Sequence, residues 1–318
     1  MAYYTGTRTS AADLIIAICN AAVANAWTKT ATGDILYKGN VYAQLSQWNP
    51  RDNNLTDKGV GVQAGLGESE GVLTTPSDGL TGIRTDLQTS YGATALTYPC
   101  TYYIFINTSP DEIVVAVNFS SLYWMWLAFG QSTTIGITGT GVYCWGSCFP
   151  GAAGSDINFG FNICGQAIYY NQYPCFYGAP IYNYVLGANA ASSHIHLGLD
   201  SLAWWNNHRY DQTQIVSVKN SVGDILQLQP NTWNSEALLV RTQILARRAD
   251  SFWSYVAELP HFRYVRNTFF DDGEGITLGT DNWFVAPIYK KNLVYPEGIS
   301  TAAKFQSGTS AFAVRKTA

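Results

Sequence analysis

Residues 98–149, YPCTYYIFINTSPDEIVVAVNFSSLYWMWLAFGQSTTIGITGTGVYCWGSCF, decide how the chain is read. Tyr98 to Asn107 is rich in aromatic and β-branched residues and predicts a strand. Thr108-Ser109-Pro110-Asp111-Glu112 supplies turn chemistry, and Ile113 to Phe119 resumes a β-type run. That second strand is expected to continue through Tyr123-Trp124-Met125-Trp126-Leu127-Ala128-Phe129, which is apolar on both faces. A strand that does not alternate needs cover on both sides, either from a second layer of the same chain or from a neighbouring subunit. The charge pattern points the same way. From Thr85 through His208, a stretch of 124 residues, there is no Lys or Arg, and only Asp86, Asp111, Glu112, Asp156 and Asp200 are acidic. Soluble monomers spread charges of both signs over their surface, so a middle third nearly bare of them implies covered surfaces.

The remaining composition narrows the function classes. At 318 residues the chain can bury one large core or two modest ones. Charged residues make up only 13 %, against a typical quarter, while aromatics reach 14 %. Low charge with abundant Tyr and Trp suggests extensive contact surfaces. A net charge of −4 argues against general nucleic-acid affinity, which needs a basic field. The longest apolar run, Ile113 to Phe129, is interrupted by Asn118, Ser120 and Ser121 and is too short for a membrane helix. Arg8, the run Leu14 to Cys19 and Ala24-Asn25-Ala26 imitate a secretory signal, but Asp13 and Asn20 break the run, so the segment is expected to be retained as structure. Cys19, Cys100, Cys144, Cys148, Cys164 and Cys175 are then most simply buried thiols. A pairing of Cys144 with Cys148, as a disulfide or half a metal site, stays open.

Along the chain, Thr9 or Ser10 caps a helix with Asp13 as a weak capping box, running to about Trp27. Leu14, Ile15, Ile18, Cys19, Ala22 and Ala26 form one broad stripe, which Ile16 and Val23 widen beyond what a single sheet contact requires. Ile35–Lys38 and Val41–Leu45 flank Gly39-Asn40 as a two-residue hairpin. Trp48 to Gly71 reads as a polar surface excursion. Gly136 to Val142 is a Gly-spaced loop without the residues of a phosphate-binding motif. Phe149 to Gly187, dense in aromatics without periodicity, reads as ordered loops whose rings need a partner. His194 and His196 are placed on the exposed face of a short strand with Ile195 turned inward, rather than as metal ligands.

Twelve of the eighteen basic residues lie in residues 209–318. There, Gln212 to Lys219 predicts a strand, Glu236 to Arg248 a helix capped by Ser235, and Ser251 to Leu259 a further helical stretch ended by Pro260. Phe262 to Phe270 reads as a strand. Ile276 to Gly279 and Trp283 to Lys290 read as a terminal hairpin, and Asp271-Asp272-Gly273-Glu274-Gly275 as a solvated turn.

The templates of catalysis fail. The chain has no Gly-x-Ser-x-Gly elbow, His-Glu-x-x-His, Walker loop or dinucleotide fingerprint. With four histidines (His194, His196, His208 and His261), a Ser–His–Asp site has no pattern to stand on. The chain is read as non-enzymatic, with no catalytic, cofactor-binding or metal residues assigned.

Three patches carry a resemblance. They are the opening Met1 to Thr7 with the helix end Ala24-Asn25-Ala26-Trp27 and the hairpin Ile35 to Gly39; Tyr102 to Asn107 with Pro110 to Val115 and Leu127 to Gly130; and Ile276 to Lys291. Together they resemble virion proteins of tailed bacteriophages. The resemblance implies a structural protein of the tail, baseplate or neck, assembled in the host cytoplasm and localised to the virion. Its implied partners are copies of itself and other virion proteins, with neither nucleic-acid binding nor membrane insertion. Ring abundance fits sugar stacking as well as packing, so a host-surface glycan-binding adhesin or depolymerase of the tail stays open as a second class. The expected fold is mainly β with a few helices (α+β): an antiparallel β-sandwich-like core, an N-terminal helix and a C-terminal β-rich region. The expected domains are an aromatic-rich 1–203 and a more charged 204–318. The candidate interface residues are Ile15, Ile18, Trp124, Trp126, Tyr169, Tyr170, Phe176 and Tyr177.

Overall fold

Dense β-branched and aromatic runs separated by Gly, Asn and Pro turns leave little room for helix, and the described residues are mainly strands with one helix among them. The computed structural model describes residues 1–48, 59–84, 96–119, 122–148, 191–207, 215–217, 238–249, 252–294 and 308–317. The chain opens with β1 (Ala2–Arg8) and α1 (Ala11–Val23). Next come β2 (Thr28–Lys29), β3 (Ile35–Lys38), β4 (Val41–Gln47), β5 (Gly59–Gly65), the small hairpin β6 (Gly67–Ser69) and β7 (Val72–Thr74), and β8 (Thr81–Arg84). The central run gives β9 (Cys100–Asn107), β10 (Glu112–Phe119), β11 (Tyr123–Gln131), β12 (Thr133–Thr134), β13 (Val142–Gly146), β14 (Ser193–Leu199) and β15 (Leu202–Asn206). The last part gives β16 (Ile215–Ser217), β17 (Val240–Arg247), β18 (Trp253–Arg266), β19 (Glu274–Leu278), β20 (Asp281–Pro287) and β21 (Ser310–Thr317).

These strands form three stacked layers. The middle layer is a seven-stranded sheet in the order β1-β9-β10-β11-β13-β14-β15, antiparallel throughout. Residues directly opposite each other across an antiparallel pair share a face. Tyr103, Phe105, Val114, Ala116, Trp124, Trp126 and Trp145 therefore line one face, and Ile104, Ile106, Ile113, Val115, Leu127 and Phe129 the other. The first face packs on a second sheet, β16-β17-β18-β21-β20-β19, through Phe262, Phe284 and Phe312. The other face lies under α1 and a third sheet, β2-β3-β4-β5-β8; Trp27, for example, meets Phe129 edge-on at 5.7 Å. Double cover explains why β10 and β11 do not alternate: of their residues only Asn118 and Gln131 are not fully buried. In the described part of the middle third the missing charges are accounted for in the same way, because that part is largely this central sheet.

Close approach between layers depends on glycine at one point. Gly82 of β8 and Cys148, just after β13, exchange backbone bonds of 3.1 and 2.8 Å. A Cβ at Gly146 would stand 2.3 Å from the Gly82 nitrogen. At another point the chain changes layers: β12 directly follows β11 but pairs with β18 of the second sheet. β21 lies inside that sheet, between β18 and β20.

Several expectations are corrected. The helix stops at Val23 rather than near Trp27, because Ala26 takes a positive φ and turns Trp27 into the core. Its cap is as expected, with the Ser10 hydroxyl accepting from the Asp13 amide at 3.1 Å. Tyr123 to Phe129 is a new strand, not a continuation of β10, and the two form a hairpin. Within Trp48 to Gly71, Trp48 is fully buried and β5 is an interior strand rather than a surface excursion, and residues 49–58 lie outside the described residues. The helices expected over Glu236–Arg248 and Ser251–Leu259 are β17 and β18. Thr242, Ile244 and Ala246 are buried at period two, and pairing with β16, β18 and β21 overrides the helical spacing. Pro260 sits at a bulge in that pairing, where no ladder bond is asked of it. The structure does not part at residue 203, which falls within β15. Side chains from both expected domains, such as Trp126 and Phe312, share one core.

Candidate functional site

The sequence candidates fall into two groups. Ile15, Ile18, Trp124 and Trp126 are buried in the chain's own core, so they do not face a neighbouring subunit as expected. Trp126 shows why: its indole N–H donates to the Pro287 carbonyl at 2.9 Å, and its ring meets Phe262 and Phe312 edge-on. Tyr169, Tyr170, Phe176 and Tyr177 lie outside the described residues, as does the whole of Phe149 to Gly187.

The surface that remains available was signalled only by the width of the helical stripe. On the outer side of α1, Ile16 is 55 % and Val23 51 % exposed, with exposed Asn20 between them at helical spacing. Beside the first half of this stripe runs a cleft of about 500 Å³, lined by Ala12, Ile15 and Ile16 of α1 and by Gly33, Asp34 and the end of β4. The charges nearby are already engaged within the chain. Asp13 accepts from the Thr9 hydroxyl at 2.8 Å, which holds its carboxyl below the usual range, and Lys29 pairs with Asp34 at 2.8 Å.

A second apolar region caps one end of the stack. Leu122, Phe269, Leu293 and Val294 are all more than half exposed there, on three different turns. Fixed contacts tie these turns together. The Trp124 amide donates to the Tyr289 carbonyl at 2.8 Å, Lys290 lies 4.9 Å from the Tyr123 ring centre, and Lys291 donates to the Phe270 carbonyl at 2.6 Å.

Two buried titratable groups stand out in the stack, Glu112 of the central sheet and His261 of the second. Glu112 is fully buried; one carboxylate oxygen accepts from the Asn107 amide at 3.0 Å and the other from the Tyr143 hydroxyl at 2.7 Å. Tyr143 and Glu112 lie two strands apart with Gly130 between them in register, and the absent side chain lets the hydroxyl reach across. Burial pushes the Glu112 carboxyl up to about 7, against the hydrogen bonds and the Arg263 charge that favour ionisation. On the facing sheet, His261 is buried and its pKa falls to about 4, first through desolvation and then through the positive charge of Arg315. Glu112 was read as a turn residue, and its burial shows only once β11 places Gly130 beside it.

His194 is not on an exposed face. β14 is an interior strand, so both His194 and Ile195 are buried, and desolvation takes His194 to about 4. His196 is half-buried, and its Nδ1 accepts from the Thr140 amide at 3.0 Å. Cys19, Cys100, Cys144 and Cys148 are buried free thiols. Among the described residues no three His, Cys, Asp or Glu side chains converge as a metal site. No protein-family model and no curated protein matches the chain.

Proposed function

We propose that the chain is a structural subunit of a tailed-bacteriophage particle, of the tail, baseplate or neck, that works by packing against copies of itself and other virion proteins and not by catalysis. The observation that carries this reading is the placing of exposed apolar side chains on rigid supports. Isolated exposed aliphatics are ordinary on any protein. Grouped ones, held by a helix or by cross-tied turns, are the usual mark of a contact surface. The three sequence patches that resemble virion proteins give the reading its particular assembly. The burial of Glu112 and His261 fits it too, since neither is open to a substrate.

The test is fractionation of a lysate from the phage-infected host that makes this protein. The chain is expected to co-sediment with particles through a density gradient, and an antiserum against it is expected to decorate the tail or neck in electron micrographs. Protein confined to the soluble fraction, with unlabelled particles, refutes the proposal.

A further inference from the structure

A lysine, an asparagine and a carboxylate meet where the second sheet ends. Asn267 directly follows β18, and its backbone N–H donates to the Thr309 carbonyl at 2.9 Å. Lys291 follows β20 and bridges Gly308 in the backbone, so Gly308 and Thr309 run between the two residues. We propose that this is a self-processing site, at which the Lys291 amine and the Asn267 side-chain amide condense into an isopeptide bond while Asp272 carries the proton.

Reach comes first. Neighbouring strands lie about 4.8 Å apart, so two backbones separated by one strand are about 10 Å apart, a span that a lysine and an asparagine side chain bridge end to end. Lys291 already points into the turn that holds the other two groups. Its Nζ donates to the carbonyl of Phe270, between Asn267 and Asp272 in the chain, at 2.6 Å. Asn267 Nδ2 in turn donates to Asp272 Oδ1 at 3.3 Å.

Asn267 is the second part of the argument. It is fully buried, and its Oδ1 accepts no hydrogen bond among the described residues. A buried oxygen without a donor is uncommon in a folded protein and calls for a reason. Moved off the Phe270 carbonyl and onto Oδ1, the Lys291 ammonium satisfies that oxygen and stands against Cγ. Burial raises the Asp272 carboxyl, the Lys291 charge opposes the rise, and Asp271 adds to it. A carboxylate made more basic by burial is better suited to take a proton from an ammonium.

The step balances without an oxidant or a co-reactant. Asp272 removes a proton from the Lys291 ammonium, and the freed amine attacks Asn267 Cγ. The Cγ–Nδ2 bond then breaks as Asp272 returns the proton to Nδ2, and the nitrogen departs as ammonia, taking up the amine's second proton as ammonium. Holding the reacting groups side by side is what makes so sluggish an exchange feasible. The product closes a covalent ring over residues 267–291, which encloses the β19–β20 hairpin.

The test is mass spectrometry of the full chain after denaturation and tryptic digestion. Trypsin cuts after Arg266, Lys290 and Lys304, but not after an acylated Lys291. The expected product is therefore a branched pair, residues 267–290 joined to 291–304, about 17 Da (one ammonia) lighter than the two peptides summed. Lys291→Arg keeps the charge and cannot form the bond, so it should yield no branched pair. Asp272→Asn keeps the shape without the base, and the joined fraction is expected to fall at least tenfold in soluble, folded protein. Unjoined peptides of full mass from the wild type overturn the proposal, as does ammonia loss at Asn267 without joining. Joining that is undiminished in Asp272→Asn overturns the role given to that carboxylate.

Discussion

Glu112→Gln isolates the buried carboxyl. The substitution keeps a side chain of the same shape beside Asn107 and Tyr143 and removes the titration. In the wild type the carboxyl moves from 4.5 when exposed to about 7 when buried. A carboxyl raised on folding binds its proton more tightly in the native state. Its contribution is fully present below pH 4.5 and is lost as pH rises through 7. Each pH unit in that window costs the wild type about 1.4 kcal/mol that the variant does not lose, or about 3 kcal/mol across it. His194 and His261 titrate in the opposite direction, but they are common to both proteins and cancel in the difference. Urea unfolding followed by tryptophan fluorescence at pH 4.5, 6 and 7.5 is the assay. The stability of the variant relative to wild type is expected to improve steadily from the lowest pH to the highest. A difference that stays constant would mean that Glu112 titrates alike in both states and would refute the buried cluster as described.

Three further outcomes follow from the packing. Gly130→Ala puts a Cβ 2.5 Å from the Glu112 Cα, and is expected to cost about 1–3 kcal/mol or more, read as a fall in the thermal midpoint. His261→Gln is expected to lessen acid sensitivity. A histidine depressed to about 4 on burial stabilises the fold above pH 6.5 and loses that contribution as pH falls through 4, so the variant should gain on wild type from pH 6.5 down to 4. Cys100 and Cys144, whose thiols burial pushes up to about 12, are expected to escape iodoacetamide at pH 8 in native protein and to react fully in urea, with mass spectrometry as the readout.

What the sequence carried locally, it carried well. The Ser10 cap with Asp13, the Gly39-Asn40 hairpin and the terminal hairpin all depend on residues within a few positions of one another. The unbroken hydrophobicity of Tyr123 to Phe129 also announced that both faces are covered. It did not say by what, since a tryptophan buried by Phe312 of the same chain has the same sequence as one buried by a neighbour. That is why Trp124 and Trp126 pointed to an interface and proved to be core, while Ile16 and Val23, which only widened the helical stripe, are exposed. β17 and β18 were hidden for a related reason, because their partners β16 and β21 lie up to dozens of residues away. His194 and Glu112 looked exposed because polarity was the only signal available. Their burial is a property of the strands on either side.

The position of β21 bears on how the protein is made. The aromatic face built from Trp124, Trp126 and Trp145 is closed by strands that come much later in synthesis. The Trp126 indole finds its carbonyl partner 161 residues further on, and Phe312 arrives later still. At about 5–20 residues per second, the 186 residues from Trp126 to Phe312 leave that face open for roughly 10–40 s. During this interval three indoles, and in its last part the edge of β18 that waits for β21, are accessible to other nascent chains, the circumstances in which aggregation competes with folding. A layered stack that closes with an interior strand therefore links the yield of soluble protein to translation rate and temperature, and makes a chaperone that shields aromatic surface a natural companion of its synthesis.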